Sequence, residues 1–265
     1  MLSYDFFDYK GLIDGYNGED YYGTAHLIFM VLATIAIIVI CILCRNIKRE
    51  KFDIYLKVLS IVVPILEVIK IVWESYWDIK TGVGFNWIGI LPLYTCSMFI
   101  YTVIIAAWGK GKIKEYAISW MATIGVFGGL TNFYITNILT LYPFFTFATF
   151  LSLQFHFLMV VTGLLIVISK YQKIEFIDGF KGFIPLAIFS VIVIPIDYAI
   201  KADYMLYYYG LGAPVLSDLA ETLGDLGLRW VYTILMIFGY LGISYLFVSI
   251  YKGIEKINKI VKSKV

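Results

Sequence analysis

Glu67, Lys70 and Glu74 stand at i, i+3 and i+7 inside an otherwise apolar stretch, a spacing that puts all three on one helical face. The stretch from Ile54 to about Trp77 is long and apolar enough to cross a bilayer, where ionisable groups are costly unless they face protein or water. Two acids and one base leave one carboxylate unmatched. That charge calls for a proton, a partner on another helix, or water, so a buried polar site is the first expectation; a self-neutralising structural network is the alternative. Cys96 and His156 add a thiol and an imidazole, and His26 opens the first apolar run. A thiol becomes a useful nucleophile beside a base or a cation, and His156 and Lys70 each qualify. Against this stand the plainer roles of a packed cysteine and of a histidine that bonds one helix to another.

The elements that must position these residues are helices in a membrane. The 265 residues are 61% hydrophobic and 15% charged with a mean hydropathy of +0.84, which excludes a soluble globular protein. Apolar runs of about 20 residues fall at roughly 24–44, 54–77, 87–108, 116–131, 144–169, 182–200 and 230–251. The expectation is an all-α, polytopic bundle of seven transmembrane helices in one domain, 1–265, with no linker or low-complexity tract dividing it.

Lysine and arginine predict the orientation, because cytoplasmic loops collect them. Arg45, Lys48, Arg49 and Lys51 follow the first run, Lys110, Lys112 and Lys114 the third, Lys170, Lys173 and Lys181 the fifth, and Lys252, Lys256, Lys259, Lys262 and Lys264 the seventh. The N-terminal arm is acidic instead, with Asp5, Asp8, Asp14, Glu19 and Asp20. This predicts an outside N-terminus, a cytoplasmic C-terminus and a multi-pass protein of the cell membrane. The clustered cations favour anionic lipid at the cytoplasmic face over nucleic acid. The start MLSYDFFDYK has no basic region followed by an apolar run, so no cleavable signal peptide is expected. In the connection 201–229, Ser217 reads as the N-cap of a short helix on the outer face.

Counting a rise of 1.5 Å per residue from the outer boundary places Glu74 at about 5 Å, Lys70 at about 10 Å, Cys96 at about 13 Å, Glu67 at about 15 Å and His156 at about 18 Å. A shared cavity opening outward is the economical reading. Two histidines and scattered acids show no H-E-x-x-H or comparable spacing, and no G-x-S-x-G occurs, so neither a metal, a serine hydrolase nor a cofactor is called for. Cys41 and Cys44, at the other end of the first run, read as small apolar fillers.

Short blocks along the chain resemble the bacterial YwaF-type integral membrane proteins and their eukaryotic transmembrane relatives. Tyr22-Gly23-Thr24-Ala25-His26-Leu27 is similar to that family's G-T-x-H-L block, Leu91-Pro92-Leu93-Tyr94-Thr95-Cys96 to its L-P-L-H-x-C block, and Gln154-Phe155-His156 to its histidine-bearing helix. Asp203-Tyr204-Met205, Pro214, Leu223-Gly224, Trp230 and Tyr232 follow its N-Y-M…P…L-G…W-x-Y pattern, with Tyr94 replacing the family histidine and Asp203 the family asparagine. The resemblance implies a seven-helix bundle. One eukaryotic relative is a cysteine-dependent phospholipid acyltransferase, which implies catalytic roles for Cys96 and His156.

The leading expectation is therefore a lipid acyltransferase or lipid hydrolase, with Cys96 as nucleophile and His156 as base. Lys70, Glu67, Glu74, His26 and Tyr94 are the candidate substrate-binding residues, membrane lipid is the expected partner, and no protein partner is specified. The rival expectation is a non-enzymatic carrier or binding protein that holds a polar or lipid solute on the Glu67/Lys70/Glu74 face.

Overall fold

A computed structural model describes residues 4–10, 13, 15–18, 20–82, 84–210 and 213–263. Asp14, Glu19 and Lys264, which entered the charge argument, lie outside the described residues. Among the described residues the secondary structure is helical, with no strand. In order the helices are α1 (Thr24–Cys44), α2 (Arg49–Lys80), α3 (Trp87–Ile90), α4 (Met98–Trp108), α5 (Gly111–Trp120), a π-helical segment (Met121–Gly125), α6 (Val126–Tyr134), α7 (Ile138–Leu141), α8 (Phe147–Ile168), α9 (Asp178–Ile200), α10 (Pro214–Asp225) and α11 (Arg229–Lys262).

Five stretches are long and apolar enough to cross a membrane: Thr24–Cys44, Gly111–Leu141, Phe147–Ile168, Asp178–Ile200 and Arg229–Val261. Their outward faces are apolar, as lipid requires: on α1 the residues Ile28, Val31, Leu32, Ile35 and Ile42 are exposed while His26, Ala33, Ile37 and Cys41 are buried. The other two expected runs differ in kind. At 32 residues α2 has the length, but Glu67, Lys70 and Glu74 interrupt its apolar sequence.

The run expected as one helix over 87–108 is broken. Asn86 caps the single turn of α3 by accepting from the Gly89 amide at 3.1 Å, and Leu91 then turns extended (φ −63°, ψ 128°). Pro92 is the cause, since its ring disfavours a helical residue before it and it brings no amide donor. Helix resumes only at Met98. Irregular backbone of this kind within a membrane protein is tolerated where it is enclosed by protein or lines a cavity.

The fourth run, expected over 116–131, is a longer rod from Gly111 to Tyr134 with the π turn inside it. A π turn leaves backbone carbonyls without their usual partners. Here the Tyr251 hydroxyl donates to Ala122 O at 2.7 Å, and Thr123 donates to Ser119 O at 2.7 Å while accepting from the Ser244 hydroxyl at 3.0 Å. Gly163 of α8 packs directly on the turn: a Cβ there would lie 2.3 Å from Met121 O.

One face of the bundle is capped by the N-terminal segment. Phe147 N donates to Phe6 O at 2.7 Å, Phe144 N to Asp20 Oδ2 at 2.6 Å, and the Tyr9 hydroxyl to Asp78 Oδ1 at 2.5 Å. The loop before α10 covers the rest of that face, its Tyr204, Met205 and Tyr207 buried. Helix α10 begins at Pro214 with Ala213 as its N-cap, so Ser217 is not the cap; its hydroxyl instead donates to Gly210 O at 2.8 Å. Proline at the first helical position needs no partner for a missing amide, which accounts for the earlier start. The basic connections 45–51, 109–114 and 169–181 meet at the opposite face, tied by Lys114–Asp53 at 3.2 Å and Lys252–Glu175 at 2.7 Å.

Candidate functional site

The bundle-facing stripe of α2 runs Phe52, Leu56, Leu59, Val63, then Glu67, Lys70 and Glu74, and ends at the buried Asp78. Steps of three and four residues hold this stripe to one side of the helix. The exposed stripe opposite is apolar, with Ile54, Val58, Ile61, Ile65, Val68 and Val72. The charges therefore continue the inward face of α2 rather than meeting lipid.

They line a cavity of about 230 Å³ together with Tyr94, Cys96, Ser97, Ser152 and His156, and with Leu66, Ile138, Leu151 and Phe155 as its apolar walls. Cys96 is half-buried on the last turn of the break between α3 and α4, where its carbonyl accepts from Phe99 N at 2.9 Å. The break is held from behind. The Tyr101 hydroxyl donates to Pro92 O at 3.1 Å, Thr95 shares a hydrogen bond of 2.8 Å with the Tyr240 hydroxyl, and the Tyr204 hydroxyl donates to Ile88 O at 2.7 Å. Tyr94 is partly exposed and meets the Tyr204 ring edge-on at 5.3 Å.

His156 enters from α8 and is 5% exposed. Its Nδ1 lies 2.6 Å from the carbonyl of Ser152, and because a carbonyl only accepts, Nδ1 carries the proton. Nε2 is then a lone pair. It is buried and has no hydrogen-bond partner among the described residues. No hydrogen bond joins it to the Cys96 thiol, although the two side chains line the same cavity. Catalytic contacts are commonly long in a ligand-free site and tighten when substrate arrives.

Lys70 Nζ is 2.7 Å from Glu67 Oε1, a close ion pair. The Glu67 side chain is 11% exposed and that of Lys70 31%. Glu74 has no cation within 4 Å among the described residues. Lys70 lines the same cavity as Cys96 and His156. The site thus offers a thiol, an imidazole nitrogen without a hydrogen-bond partner among the described residues, one ammonium and two carboxylates.

His26 is set apart from this cavity. It is fully buried, its Nδ1 accepts from Tyr22 N at 3.2 Å and its Nε2 donates to Phe133 O at 3.0 Å. With both nitrogens engaged it fastens α1 to α6, and it is not among the residues that line the cavity with Cys96. Cys41 is packed in the core and Cys44 is half-buried, near the basic face. Among the described residues no group of three or more His, Cys, Asp or Glu side chains has metal-site geometry.

Ser152 was not singled out in the sequence, yet its carbonyl selects the His156 tautomer; its place one turn before the histidine was the available signal. Asp203, where the resembling family has asparagine, accepts from Tyr208 N and Tyr209 N, each at 2.8 Å, and so shapes the loop that braces the break.

Comparison with curated proteins and with solved structures finds no match. A family model does match: the TMEM164 family, over residues 21–250, a span that contains the broken segment with Cys96, the charged stripe of α2 and the helix bearing His156. The chain belongs to the TMEM164 family.

Proposed function

We propose that this protein is a thiol-dependent acyltransferase or esterase acting on membrane lipid. The Cys96 thiol passes its proton to His156 Nε2 as its sulfur bonds to the carbonyl carbon of an acyl ester. The ester C–O bond then breaks, and the imidazolium returns the proton to the departing lysolipid hydroxyl. A second lysolipid or water attacks the thioester, giving its proton to Nε2, and the C–S bond breaks to restore the thiol. Lys70 steadies the oxyanion or a lipid phosphate, a role suited to a cation in a low-dielectric site. The observation that carries this reading is the buried, unpartnered His156 Nε2 in the cavity that Cys96 lines.

The fold reading is seven spans: the five apolar stretches, α2 with its apolar outward stripe, and the broken α3–α4 segment. Lysine and arginine asymmetry supports an outside N-terminus and a cytoplasmic C-terminus in the cell membrane. On that reading the cavity lies in the outer half of the bilayer.

The test treats the purified protein with an activated acyl probe and maps adducts by mass spectrometry. A thioester on Cys96 and none on Cys41 or Cys44 is expected, with His156→Ala slowing it about a hundredfold. No adduct on Cys96, or labelling indifferent to His156, sinks the acyl-transfer reading. The second reading, a carrier or binding protein, draws on Glu74, which lines the cavity with no ion-pair partner within 4 Å among the described residues; it is the one left standing in that case.

A further inference from the structure

The basic face holds a second cleft, about 410 Å³, lined by Arg49, Gly111, Lys114, Glu115, Tyr171 and Lys173 among others. Its charge is unbalanced in a particular way. Glu115 is taken by Lys181, and Asp53 by Lys114 at 3.2 Å and by the Tyr171 hydroxyl at 2.5 Å. Lys173 reaches out to Glu175. Arg49 has no carboxylate within ion-pair distance among the described residues. Its guanidinium is instead held in place, 4.6 Å from the Tyr171 ring centre and with Nη1 donating to Tyr171 O at 3.0 Å. Lys114 also lies 5.7 Å from that ring centre. The tyrosine therefore fixes the cation of two helices around one opening.

Both helices point their N-termini at the cleft. Arg49 is the first residue of α2 and Gly111 the first of α5, and neither terminus has a side-chain cap. The N-terminal end of a helix carries partial positive charge and unpartnered amides, and acidic residues normally stand there. Here Lys48 and Lys110 occupy the N-cap positions; the first turn of α2 carries Glu50, whereas that of α5 has no acid. Gly111 has φ +59°, and a Cβ on it would meet nothing within 4 Å, so the backbone is bare toward the opening. The uncapped α5 N-terminus, with Arg49 and Lys114 beside it, offers a compact anion unpartnered amides and two cations.

We propose that this cleft is a binding site for a phosphate monoester group, held by Arg49, Lys114 and the α5 N-terminus, whether the group is the headgroup of an anionic lipid or a free phosphate. A monoester offers the double charge and three oxygens that a guanidinium, an ammonium and a helix N-terminus can share. The site is independent of the Cys96 cavity, at the other face of the bundle.

The test places the intact protein in phosphatidylcholine nanodiscs doped with phosphatidic acid, a monoester, or with phosphatidylglycerol, a diester, and follows retained lipid by native mass spectrometry. Phosphatidic acid should be retained in preference to phosphatidylglycerol. Arg49→Ala should cut that retention about tenfold, the size of one lost charge-assisted hydrogen bond. Lys256→Ala, which removes an exposed charge from the α11 tail on the same face, should change it less than about twofold. Arg49→Lys keeps the charge but loses the fork, so an intermediate loss is expected, and thermal unfolding of each variant confirms that it is folded. If inorganic phosphate raises the unfolding temperature of undoped discs in an Arg49-dependent way, the free anion is the source; if only phosphatidic acid binds, the lipid is. Equal retention of the two lipids with no effect of inorganic phosphate, or equal losses in Arg49→Ala and Lys256→Ala, would show general attraction to a basic surface and overturn the site.

Discussion

His156 donates its Nδ1 proton to the main-chain carbonyl of Ser152, one turn earlier in α8, at 2.6 Å. A histidine held this way has a fixed tautomer and a fixed ring plane, and its other nitrogen is free to accept a proton. The second histidine shows the contrast. His26 uses both nitrogens in the contact between α1 and α6 and has none left for a ligand. The difference lies in the neighbours each ring meets, because both histidines are buried.

Lys70 is the one cation of the α2 stripe, and its removal should cost more than removal of the whole set. Lys70→Met leaves Glu67 and Glu74 as like charges lining an enclosed space, whereas replacing all three with apolar residues leaves no charge to desolvate. Breaking a buried pair costs about 3–5 kcal/mol, and the partial exposure of Lys70 argues for the lower end, about 3 kcal/mol. Denaturant unfolding in detergent should rank Lys70→Met below the triple variant. Equal stabilities would mean that the charges are solvated and uncoupled.

The broken segment depends on its braces. Tyr240 shares a hydrogen bond with Thr95 and also donates toward Met205 O at 3.2 Å, linking the break to the covering loop. Tyr240→Phe removes both at a cost of about 1–3 kcal/mol, since the buried Met205 carbonyl and the half-buried Thr95 hydroxyl lose that partner. Acyl-probe labelling of Cys96 should fall with it while labelling controls in the other cysteines stay flat. Unchanged stability and unchanged labelling would show that the break holds its shape without this tyrosine.

The helical class, the apolar runs and the inward face of α2 were legible, because each rests on a local repeat. Glu67, Lys70 and Glu74 fall in register with Phe52, Leu56, Leu59 and Val63, so the sequence alone points them to one side. Pro92 was a visible reason to break the run over 87–108, but hydropathy is blind to a single residue in a long apolar window. The π turn at Met121–Gly125 was not legible at all, because its cause is tertiary: Gly163 makes room for it and Tyr251 satisfies a freed carbonyl. The same holds for His26, whose Nε2 partner, Phe133 O, comes from another helix that the sequence cannot place.

Glu175, in the connection between α8 and α9, is held down to about 2 by its hydrogen bond with Lys173 and then by that with Lys252 of α11. A carboxyl depressed below its ordinary value of 4.5 contributes stability above that value and loses it as the pH falls toward about 2. The stability difference between wild type and Glu175→Gln should therefore be constant above about pH 5.5 and vanish near pH 2. Unfolding profiles across that range measure it; a difference that persists unchanged down to pH 2 would exclude the ionised carboxylate as its source.

Gly163 tests whether the π turn is a packed feature or a loose one. A Cβ at this position would lie 2.3 Å from Met121 O and 2.3 Å from Val126 Cγ2, and the first of these is backbone that no rotamer change can move. Gly163→Ala must push α8 away from the rod between Gly111 and Tyr134, or force the turn to rewind. Overpacking of this kind costs about 1–3 kcal/mol even though alanine is the better helix former. Helix α8 also carries His156, about two turns away, so the displacement should reach the cavity and slow Cys96 labelling more than the loss of stability explains. A Gly163→Ala protein as stable and as reactive as the wild type would mean that α8 and the π turn are not in close contact, and the geometry that carries His156 into the cavity would have to be drawn differently.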